Sequence, residues 1–409
     1  MRTQNSRDES DMSQGRIDLL SIDTARRIGG GQIAIETTLR SLDRNRFRVT
    51  LACPQASALA DRLRDSDIEI LPWVPPSRAL RGEQPDLLGS GASRAALVPF
   101  ASVAALIRLV GWARRRKHLV IHGNTFQGAV LGACLAALVR RPFIFHDRNN
   151  KAHGAIERWV CRRADVVLAV SRATSRKWGS LFERKTRILY DGVDLDRFHC
   201  RGDRSERDRL GIAQDAPVLL AVSRISPEKA LDLLVEAVAM LRPETRLLIA
   251  GEPFLPEDRE YQKRIALLAT MRGVRLSFLG FVQDMTPVFE AADIFVLSSS
   301  DEAFGLVILE AMAMGRPVIV PRKAGALDIV DEGRTGLFFE PGNARDLAEK
   351  IQSLVERPDE MARLGAEARR VLKERFAPQE TVARFARTIE ELALGSVSDQ
   401  GFFAQSTSE

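Results

Sequence analysis

One stretch in the second half of the chain constrains the fold more than any other. An apolar run over residues 294–297 is short enough to be a buried strand, and residues 317–320 form a second run of the same kind. Between them, Leu306, Leu309 and Ala313 recur at helical spacing. The sequence therefore predicts strand, polar loop, helix and strand, which is the repeating unit of a parallel α/β sheet.

Two carboxylates lie in this unit where a ligand would bind. Glu302 is in the loop, Glu310 follows along the helix, and the free amides of Phe304, Gly305 and Leu306 stand at the helix start. Ligands of parallel sheets bind outside the carboxyl ends of the strands, where helix amides favour an anion such as phosphate. Carboxylates instead accept hydrogen bonds from hydroxyls. The combination indicates a nucleotide sugar; the alternative is a capping Glu302 and a solvated Glu310.

The same segment carries a family resemblance. Residues 299–318 read Ser-x-x-Glu-x-Phe-Gly-Leu-x-x-x-Glu-Ala-Met-Ala-x-Gly-x-Pro-Val, which resembles the signature of the retaining family-4 glycosyltransferases of the GT-B fold. Only Ala303 departs from it, where the family commonly has glycine. The resemblance implies that Glu302 contacts the donor sugar, that Glu310 binds the ribose hydroxyls, and that the amides of 304–306 meet the sugar and phosphate.

A pair of cations follows another predicted strand, over residues 218–222. Arg224 comes directly after it, and Ser226 is a good N-cap for a helix that we predict through residues 230–241. Lys229 then falls in the first helical turn, where the helix dipole disfavours a cation unless an anion binds beside it. The pair therefore indicates a diphosphate site, with two solvated charges as the alternative.

This loop is also similar to a family motif, Gly-Arg-Leu-x-x-x-Lys-Gly, with Ser223 and Ala230 in place of the glycines. The resemblance implies that Arg224 and Lys229 bind the donor diphosphate in place of a metal, so that no metal and no other cofactor is expected. It also places further donor contacts at neighbouring strand ends. These are Glu252, and Phe281 and Val282 at the nucleobase.

A glycine run follows the first predicted strand, over residues 17–22. Gly29, Gly30 and Gly31 precede a helical pattern over 33–42, but the run lacks the Gly-x-Gly-x-x-Gly spacing of a dinucleotide fingerprint. A plain flexible turn is therefore the alternative. The run is similar to the family loop that faces the donor phosphate and the acceptor, so the resemblance places these glycines in the donor site.

A histidine ends the strand predicted over residues 143–145. His146 with Asp147 after an apolar run is similar to the family segment whose histidine reaches the donor sugar, so His146 is a predicted catalytic residue with Glu302 and the two cations. A lone histidine is more often structural, and that interpretation suits His122 better.

The length of 409 residues favours two domains. The resemblance implies two doubly wound, Rossmann-like domains that face a central cleft. The predicted organisation is a disordered tail over 1–15, an acceptor-binding domain over 16–198, a linker over 199–215, a donor-binding domain over 216–377, a helix over 378–394 that crosses back to the first domain, and a flexible tail over 395–409.

The charge is unevenly distributed, since residues 1–200 are net basic and residues 201–409 net acidic. The basic half could meet nucleic acid, an anionic membrane surface or an acidic acceptor. Nucleic acid is disfavoured because aromatic residues make up only 6% of the chain and do not interleave with the cations. A helix predicted over 97–117, basic at its end, is either a membrane-surface helix or an ordinary core-facing one.

The remaining features favour a reducing compartment and argue against structural metal. The four cysteines are scattered, and no apolar stretch is long enough to span a membrane. We predict a cytoplasmic protein, with peripheral association at the inner membrane face as an open alternative. Asp194 and Asp196 invite a metal interpretation, but their segment resembles the family's Asn-Gly-Val-Asp hinge.

The predicted function is a retaining, metal-independent transfer of a sugar from a nucleotide-diphosphate sugar, UDP-sugar above others, to a glycan or glycolipid acceptor. Polysaccharide, lipopolysaccharide or glycolipid biosynthesis is the expected setting. Two alternatives stay open: a non-transferring enzyme of the same fold, such as an epimerase or phosphorylase, and a basic nucleic-acid-binding protein.

Overall fold

The protein is described from a computed structural model, which describes residues 15–73, 97–150, 154–299 and 301–395, and of residues 73 and 97–105 the backbone alone. It divides into two compact units. The first takes the chain up to Val170, Thr174–Leu189 and the chain from Gln379 onwards; the second takes Ser171–Ala173 and Tyr190–Pro378.

The first unit is built on a seven-stranded sheet in which every pairing is parallel. Its strands are largely apolar because helices cover both faces, as is usual for parallel sheets, although a few buried polar side chains also lie on them. Their order across the sheet is β3-β2-β1-β4-β5-β6-β7. The strands are β1 (Ile17–Ile22), β2 (Phe47–Pro54), β3 (Glu69–Trp73), β4 (Leu119–Gly123), β5 (Phe143–Asp147), β6 (Val166–Ala169) and β7 (Thr186–Ile188).

Helices flank this sheet and bury two hydrophobic clusters, one on each face. They are α1 (Gly30–Ser41), α2 (Ala58–Arg62), α3 (Leu97–Arg114), α4 (Phe126–Val139), α5 (Ala155–Arg163) and α6 (Arg172–Arg176), of which α6 begins in residues grouped with the second unit. Two 3-10 turns follow, Gly179–Leu181 and Glu183–Lys185. The last helix of the chain also packs here, through Phe385, Ile389 and Leu392.

The second unit repeats the plan with six parallel strands in the order β10-β9-β8-β11-β12-β13. Apart from the edge strand Arg275–Gly280, whose residues are only partly buried or exposed, these strands are again buried apolar runs, and one large cluster fills a face of the sheet. They are β8 (Val218–Val222), β9 (Arg246–Ala250), β10 (Arg275–Gly280), β11 (Ile294–Val296), β12 (Val318–Pro321) and β13 (Gly336–Phe339).

Short and long helices alternate with these strands. They are α7 (Ser205–Arg209), a 3-10 turn at Pro227–Lys229, α8 (Leu231–Val238), α9 (Pro256–Arg272), α10 (Thr286–Ala291), α11 (Leu306–Ala313), α12 (Ala326–Ile329), α13 (Ala344–Val355), α14 (Pro358–Arg375) and α15 (Pro378–Ala393), of which α15 is the helix that returns to the first unit.

The predicted fold class, two doubly wound parallel sheets, is confirmed. The helix predicted over 97–117 ends at Arg114, and its described part faces the core, because Leu109 and Ala113 are buried. The predicted tails lie, except at Gly15 and Gly395, outside the described residues. The predicted domain boundaries, and the donor and acceptor roles of the domains, stay predictions.

Candidate functional site

The second sheet has one point at which the chain order reverses, between β8 and β11. Successive connections leave in opposite directions from this point, which opens a crevice outside the carboxyl ends of the two strands. The loop after β8 carries Arg224 and Lys229, and the loop after β11 carries Glu302. Topology alone therefore brings the predicted cations and the predicted carboxylate to neighbouring strand ends.

Side-chain geometry joins the two loops directly. The Lys229 Nζ donates to Glu302 Oε2 at 2.7 Å, and both side chains are about four-fifths buried. The hydroxyl of Ser298, which follows β11, donates to the backbone oxygen of Lys229 at 2.8 Å. Because both the side chain and the backbone of Lys229 are held, its ammonium group has a defined position at the strand ends.

Arg224 lies half-buried in the same loop and is held from three sides. Its guanidinium forms an ion pair with Glu228, its Nε donates to Ser226 Oγ at 3.3 Å, and its Cζ lies 5.7 Å from the centre of the Phe254 ring. A guanidinium has five N–H donors in a planar fork, so these contacts orient it and still leave donors for a ligand.

The start of α11 has no side-chain cap, and Phe304, Gly305 and Leu306 are buried. Gly305 is its N-cap, with φ of 101°, and it has no side chain to accept from the first-turn amides. A methyl on Gly305 would lie 2.7 Å from the end of the Ile308 side chain, which can shift, but a φ of 101° strains any residue that has a side chain. Gly325 also holds this loop in place, since its N–H donates to the backbone oxygen of Glu302 at 3.1 Å. A methyl on Gly325 would come within 2.5 Å of Phe304 Cα.

Glu310 lies on α11 and is only 7% exposed. Burial raises the pKa of its carboxyl to about 7, and the positive charge of Arg197 opposes that rise. No hydrogen bond from the described residues reaches the Glu310 carboxylate. A buried carboxyl without a protein partner carries a desolvation cost that hydroxyl donors from a ligand would offset.

The helix predicted over 230–241 is wrong at its start. Residues 227–229 form a 3-10 turn, Ala230 is left-handed with φ of 47° and ψ of 45°, and α8 begins at Leu231. Lys229 is therefore not in the first turn of a helix, and Ser226 makes no side-chain capping bond. The physical reason is the left-handed residue, which interrupts the helical hydrogen bonds between the turn and α8.

Ala230→Gly is expected to stabilise the protein by about 1 kcal/mol, because alanine costs roughly 1–2 kcal/mol in the left-handed region and glycine does not, less a few tenths for the freer unfolded chain. Urea unfolding followed by circular dichroism measures the change. Ala239→Gly is the matched control, since Ala239 ends the same helix at φ of −62° and should lose stability. Equal effects of the two substitutions would contradict the strain at Ala230.

The other predicted donor residues of this unit are more exposed and make fewer contacts with the loops after β8 and β11. Glu252 is exposed after β9, and its backbone oxygen accepts from Ile225 N at 3.2 Å, beside Arg224. Phe281 follows β10 with 61% of its surface exposed, and Val282 is partly buried. Hydrogen bonds among the described residues bring Arg224, Lys229 and Glu302 to adjoining loops but do not link Phe281 or Val282 to them.

In the first unit the predicted glycines stand at the start of α1, after the strand at which the first sheet reverses its order. The Gly29 N–H donates to Gln32 Oε1 at 3.2 Å, and Gln32 Nε2 donates to Asp23 Oδ2 at 3.1 Å. Gly29 has an extended backbone, so this turn requires no left-handed glycine. Burial raises the pKa of the Asp23 carboxyl, and its hydrogen bonds oppose the rise.

A second set of contacts extends this network. Asn124, after β4, donates from Nδ2 to Asp23 Oδ2 at 2.6 Å and accepts from Arg148 Nε at 3.0 Å. A methyl on Gly31 would lie 3.0 Å from Arg148 Cδ. Gly31 therefore leaves room for the Arg148 side chain, which no sequence motif singled out.

His146 lies at the end of β5 and is 3% exposed, and its Nε2 is buried without a hydrogen-bond partner among the described residues. Burial lowers the pKa of His146 well below its ordinary value, and the charge of Arg148 lowers it further. The next residue, Asp147, accepts from Trp178 Nε1 at 2.9 Å and pairs with Lys177 Nζ at 2.8 Å. These buried contacts fix the strand end that carries the histidine.

Sequence reasoning missed Lys177, Gly325 and Asn124, because each acts through contacts between segments far apart in the chain. Lys177 bridges Asp147 and Glu157, the latter at 2.9 Å, and no local pattern announces that pairing. The His-Asp pair after an apolar run was the available signal that a buried cation would be needed nearby.

A cavity of about 720 Å³ lies at the other edge of the second sheet, where β11 and β12 begin, and its lining includes Asp293, Arg316 and Lys373. It contains none of the predicted site residues. Within the described part of the chain there is no cluster of three or more His, Cys, Asp or Glu side chains suited to a metal ion, around Asp194 and Asp196 included. No helix among the described residues is long and apolar enough to cross a membrane.

Two family matches cover most of the chain. Residues 203–371 match the family described as "Glycosyl transferases group 1", and residues 28–197 match "Glycosyltransferase Family 4". D-inositol 3-phosphate glycosyltransferase 2 of Catenulispora acidiphila is 35% identical over 304 residues, which cover 69% of this chain and 69% of that protein. The chain belongs to the group 1 glycosyltransferases. The recognition of that family from the 299–318 segment is confirmed.

Another relative matches over part of its length. Sulfoquinovosyl transferase SQD2 of Arabidopsis thaliana is 29% identical over 294 residues, which cover 66% of this chain and 56% of SQD2. The chain therefore spans little more than half of that relative.

The similarity extends to solved structures. HepE of Anabaena, crystallised with UDP and glucose, superposes with a TM-score of 0.78 at 25% identity, covering 92% of this chain and all of HepE. Sucrose-phosphate synthase of Thermosynechococcus elongatus superposes with a TM-score of 0.73 at 21% identity, covering 93% of this chain and all of that chain, which bears on the fold alone. The GT-B fold predicted from the sequence is confirmed.

Proposed function

We propose that this group 1 glycosyltransferase moves a sugar from a nucleotide-diphosphate sugar, UDP-sugar above others, to an acceptor hydroxyl with retention and without a metal. The observation that carries the proposal is the Lys229–Glu302 pair at 2.7 Å, formed between the two strand ends at which the second sheet reverses. A cation and a carboxylate at one such edge suit a ligand that presents phosphate beside hydroxyls.

The proposed chemistry places developing negative charge next to fixed cations. The bond between the sugar C1 and the diphosphate oxygen breaks, the acceptor oxygen bonds to C1 on the same face, and the acceptor proton passes to the leaving diphosphate. Arg224 and Lys229 stabilise the diphosphate, together with the first-turn amides of α11 that follow Gly305. Preorganised donors of this kind stabilise charge that develops in the transition state, which is where they accelerate the reaction.

Carboxylates and the histidine orient the neutral parts of the donor in this proposal. Glu302, held by Lys229, accepts from sugar hydroxyls, and Glu310 accepts from the ribose hydroxyls. His146 contacts the sugar, and the predicted contacts of the glycine run with the donor phosphate and of Phe281 and Val282 with the nucleobase complete the proposed site. The UDP and glucose with which HepE was crystallised support this donor class.

The acceptor is proposed to be a glycan or glycolipid in polysaccharide, lipopolysaccharide or glycolipid biosynthesis, at the cytoplasmic side of a membrane. The net basic charge of residues 1–200 supports an acidic acceptor or an anionic surface. The exposed Ile107 on α3 is one apolar contact that such a surface could use, at 66% exposure.

A donor screen tests the proposal. Thermal unfolding is measured with UDP-, GDP- and ADP-sugars, because a true ligand raises the melting temperature by mass action. The expected result is a rise with one nucleotide class and label transfer from that donor to a glycan or glycolipid fraction. Free nucleotide diphosphate without a transferred sugar would favour a non-transferring enzyme, and no shift with any nucleotide sugar would overturn the proposal.

Nucleotide affinity is expected to rise with pH through about 7, the raised pKa of Glu310. Only the ionised carboxyl accepts from both ribose hydroxyls, so Kd at pH 6 should be about 10-fold weaker than at pH 8. Titration calorimetry measures this, and Glu310→Gln should bind weakly with a flat profile. The free energy of unfolding should fall as the pH rises from about 4.5 to 7. A carboxyl whose pKa is raised in the folded state binds its proton more tightly there, so ionising it over this range disfavours the folded state. A profile that persists in the Gln variant would contradict the assignment.

A further inference from the structure

Three polar side chains stand in a row on one face of the first sheet. Ser21 of β1 is paired in register with His122 of β4, and His122 is paired with Ile144 of β5. His146 lies two residues beyond Ile144, and alternate residues of a strand share a face. The three strands are neighbours in the sheet. Register therefore places Ser21, His122 and His146 side by side.

Their atoms form a continuous chain of hydrogen bonds. Ser21 Oγ lies 3.0 Å from His122 Nδ1, and His122 Nε2 lies 3.3 Å from His146 Nδ1. The exposed fractions of the three residues are 0%, 0% and 3%. The far end of the chain, His146 Nε2, is buried and has no partner among the described residues.

The surroundings of this chain are apolar. The Phe385 ring of α15 meets the His122 ring edge-on, with centres 5.1 Å apart, and Leu19 and Val120 lie in the same cluster. Burial lowers the pKa of His122 to about 3, and Arg148 is the charged group that lowers it further. Both rings are therefore neutral at physiological pH, so each carries one N–H and one acceptor nitrogen.

Two directions of donation are possible along such a chain, and they differ at its inner end. In the first, the Ser21 hydroxyl donates to His122, and His122 Nε2–H donates to His146 Nδ1. In the second, every bond is reversed, and the Ser21 hydroxyl proton needs another acceptor. Among the described residues Ser21 Oγ has no partner except His122. A buried hydroxyl proton without an acceptor costs roughly 1–3 kcal/mol, so the first direction is favoured.

We propose that Ser21 and His122 are positioning residues that hold His146 in the tautomer with its proton on Nε2, so that His146 donates a hydrogen bond to an oxygen of the donor sugar. The contact with the sugar rests on the proposed function, whereas the tautomer rests on the protein alone. The donated bond satisfies His146 Nε2, the atom at the end of this hydrogen-bonded row that is buried without a partner among the described residues.

Nuclear magnetic resonance of the full chain with ring-¹⁵N histidine tests the tautomer without any ligand. The chain has five histidines, and His146→Gln assigns the resonance of interest. The expected result is a protonated Nε2 and an unprotonated Nδ1 in wild type. Ser21→Ala and His122→Leu should give mixed tautomers, and His122→Gln, whose amide can still donate to Nδ1, should restore the wild-type pattern. A wild-type His146 protonated on Nδ1 would overturn the inference.

Kinetics with the donor found in the screen test the contact with the sugar. His122→Leu is expected to lower kcat roughly 10-fold to 100-fold, the range found when the partner of a metal-binding histidine is removed, with KM changed less and His122→Gln near wild type. Leu19→Ala removes volume from the same face of the sheet but leaves Ser21, His122 and His146 in place, so it serves as the control for loss of stability. If the tautomer is as stated and His146→Ala transfers sugar at the wild-type rate, the sugar contact is overturned and the tautomer assignment is supported.

Discussion

Replacing Lys229 with alanine is expected to lower kcat roughly 10²-fold to 10³-fold with the fold intact, which is the usual effect of removing one preorganised donor from developing negative charge. Two consequences follow from its 2.7 Å bond to Glu302. The leaving diphosphate loses a cation, and the Glu302 carboxylate loses the partner that offsets its own charge. The remaining carboxylate would then repel the phosphates it lies beside, so both changes act against the same step.

The measurement is initial rate at saturating donor, with donor Kd from titration calorimetry and the melting temperature of each variant. Lys263→Ala is the matched control, because Lys263 also pairs with a glutamate in this unit, Glu260 at 2.8 Å, but is exposed on α9. It should leave kcat unchanged. Lys229→Arg should recover part of the rate, since it restores charge with a different shape. Activity of Lys229→Ala within a few-fold of wild type would remove the phosphate assignment.

The strands were the most predictable part of this protein. β8 begins and ends at the predicted residues, Val218–Val222, because a strand buried on both faces must be an uninterrupted apolar run. The residues that follow the strands were predictable as well. Once parallel strands are assigned, the polar residues after their carboxyl ends must lie together at one end of the sheet. This is why the sequence alone could group Arg224, Lys229 and Glu302.

The helix after Lys229 was not predictable to the same degree. Its first amides, Leu231 N and Asp232 N, are capped by the Tyr261 hydroxyl at 2.8 and 3.2 Å. That hydroxyl comes from α9, so the start of α8 is set by a tertiary contact and not by the local Ser226-Pro227 pattern. Propensity and capping rules apply only where the local sequence supplies the partner.

The row of Ser21, His122 and His146 was also outside the reach of the sequence. Each residue could be assigned to a strand, yet the bonds between them depend on register and on which strands are neighbours. A shift of one residue in either pairing would turn a side chain to the opposite face. For this reason His122 looked like an isolated structural histidine, whereas the structure makes it the middle member of a hydrogen-bonded chain.

Gly251→Ala is expected to destabilise the protein by roughly 2–6 kcal/mol and to weaken donor binding, since backbone strain and overpacking each cost about 1–3 kcal/mol. Gly251 follows β9 with φ of 133°, and an added methyl would lie 1.9 Å from the Ser223 carbonyl oxygen. Its N–H donates to the Gly280 oxygen at 2.7 Å, so the backbone cannot move away without losing that bond. The displaced carbonyl belongs to the residue directly before Arg224.

Gly273→Ala separates the two costs. Gly273 also has a positive φ, 71°, but nothing lies within 4 Å of an added methyl, so only left-handed strain of about 1–2 kcal/mol should result. Urea unfolding measures the stability of both variants, and calorimetry of nucleotide binding is done well below each midpoint. Because Gly273 ends α9 away from Arg224, its variant should bind nucleotide as wild type does, whereas Gly251→Ala should not. If both variants lose the same stability and keep the same affinity, then the Ser223 carbonyl yields to the methyl, and the position of Arg224 does not depend on this glycine.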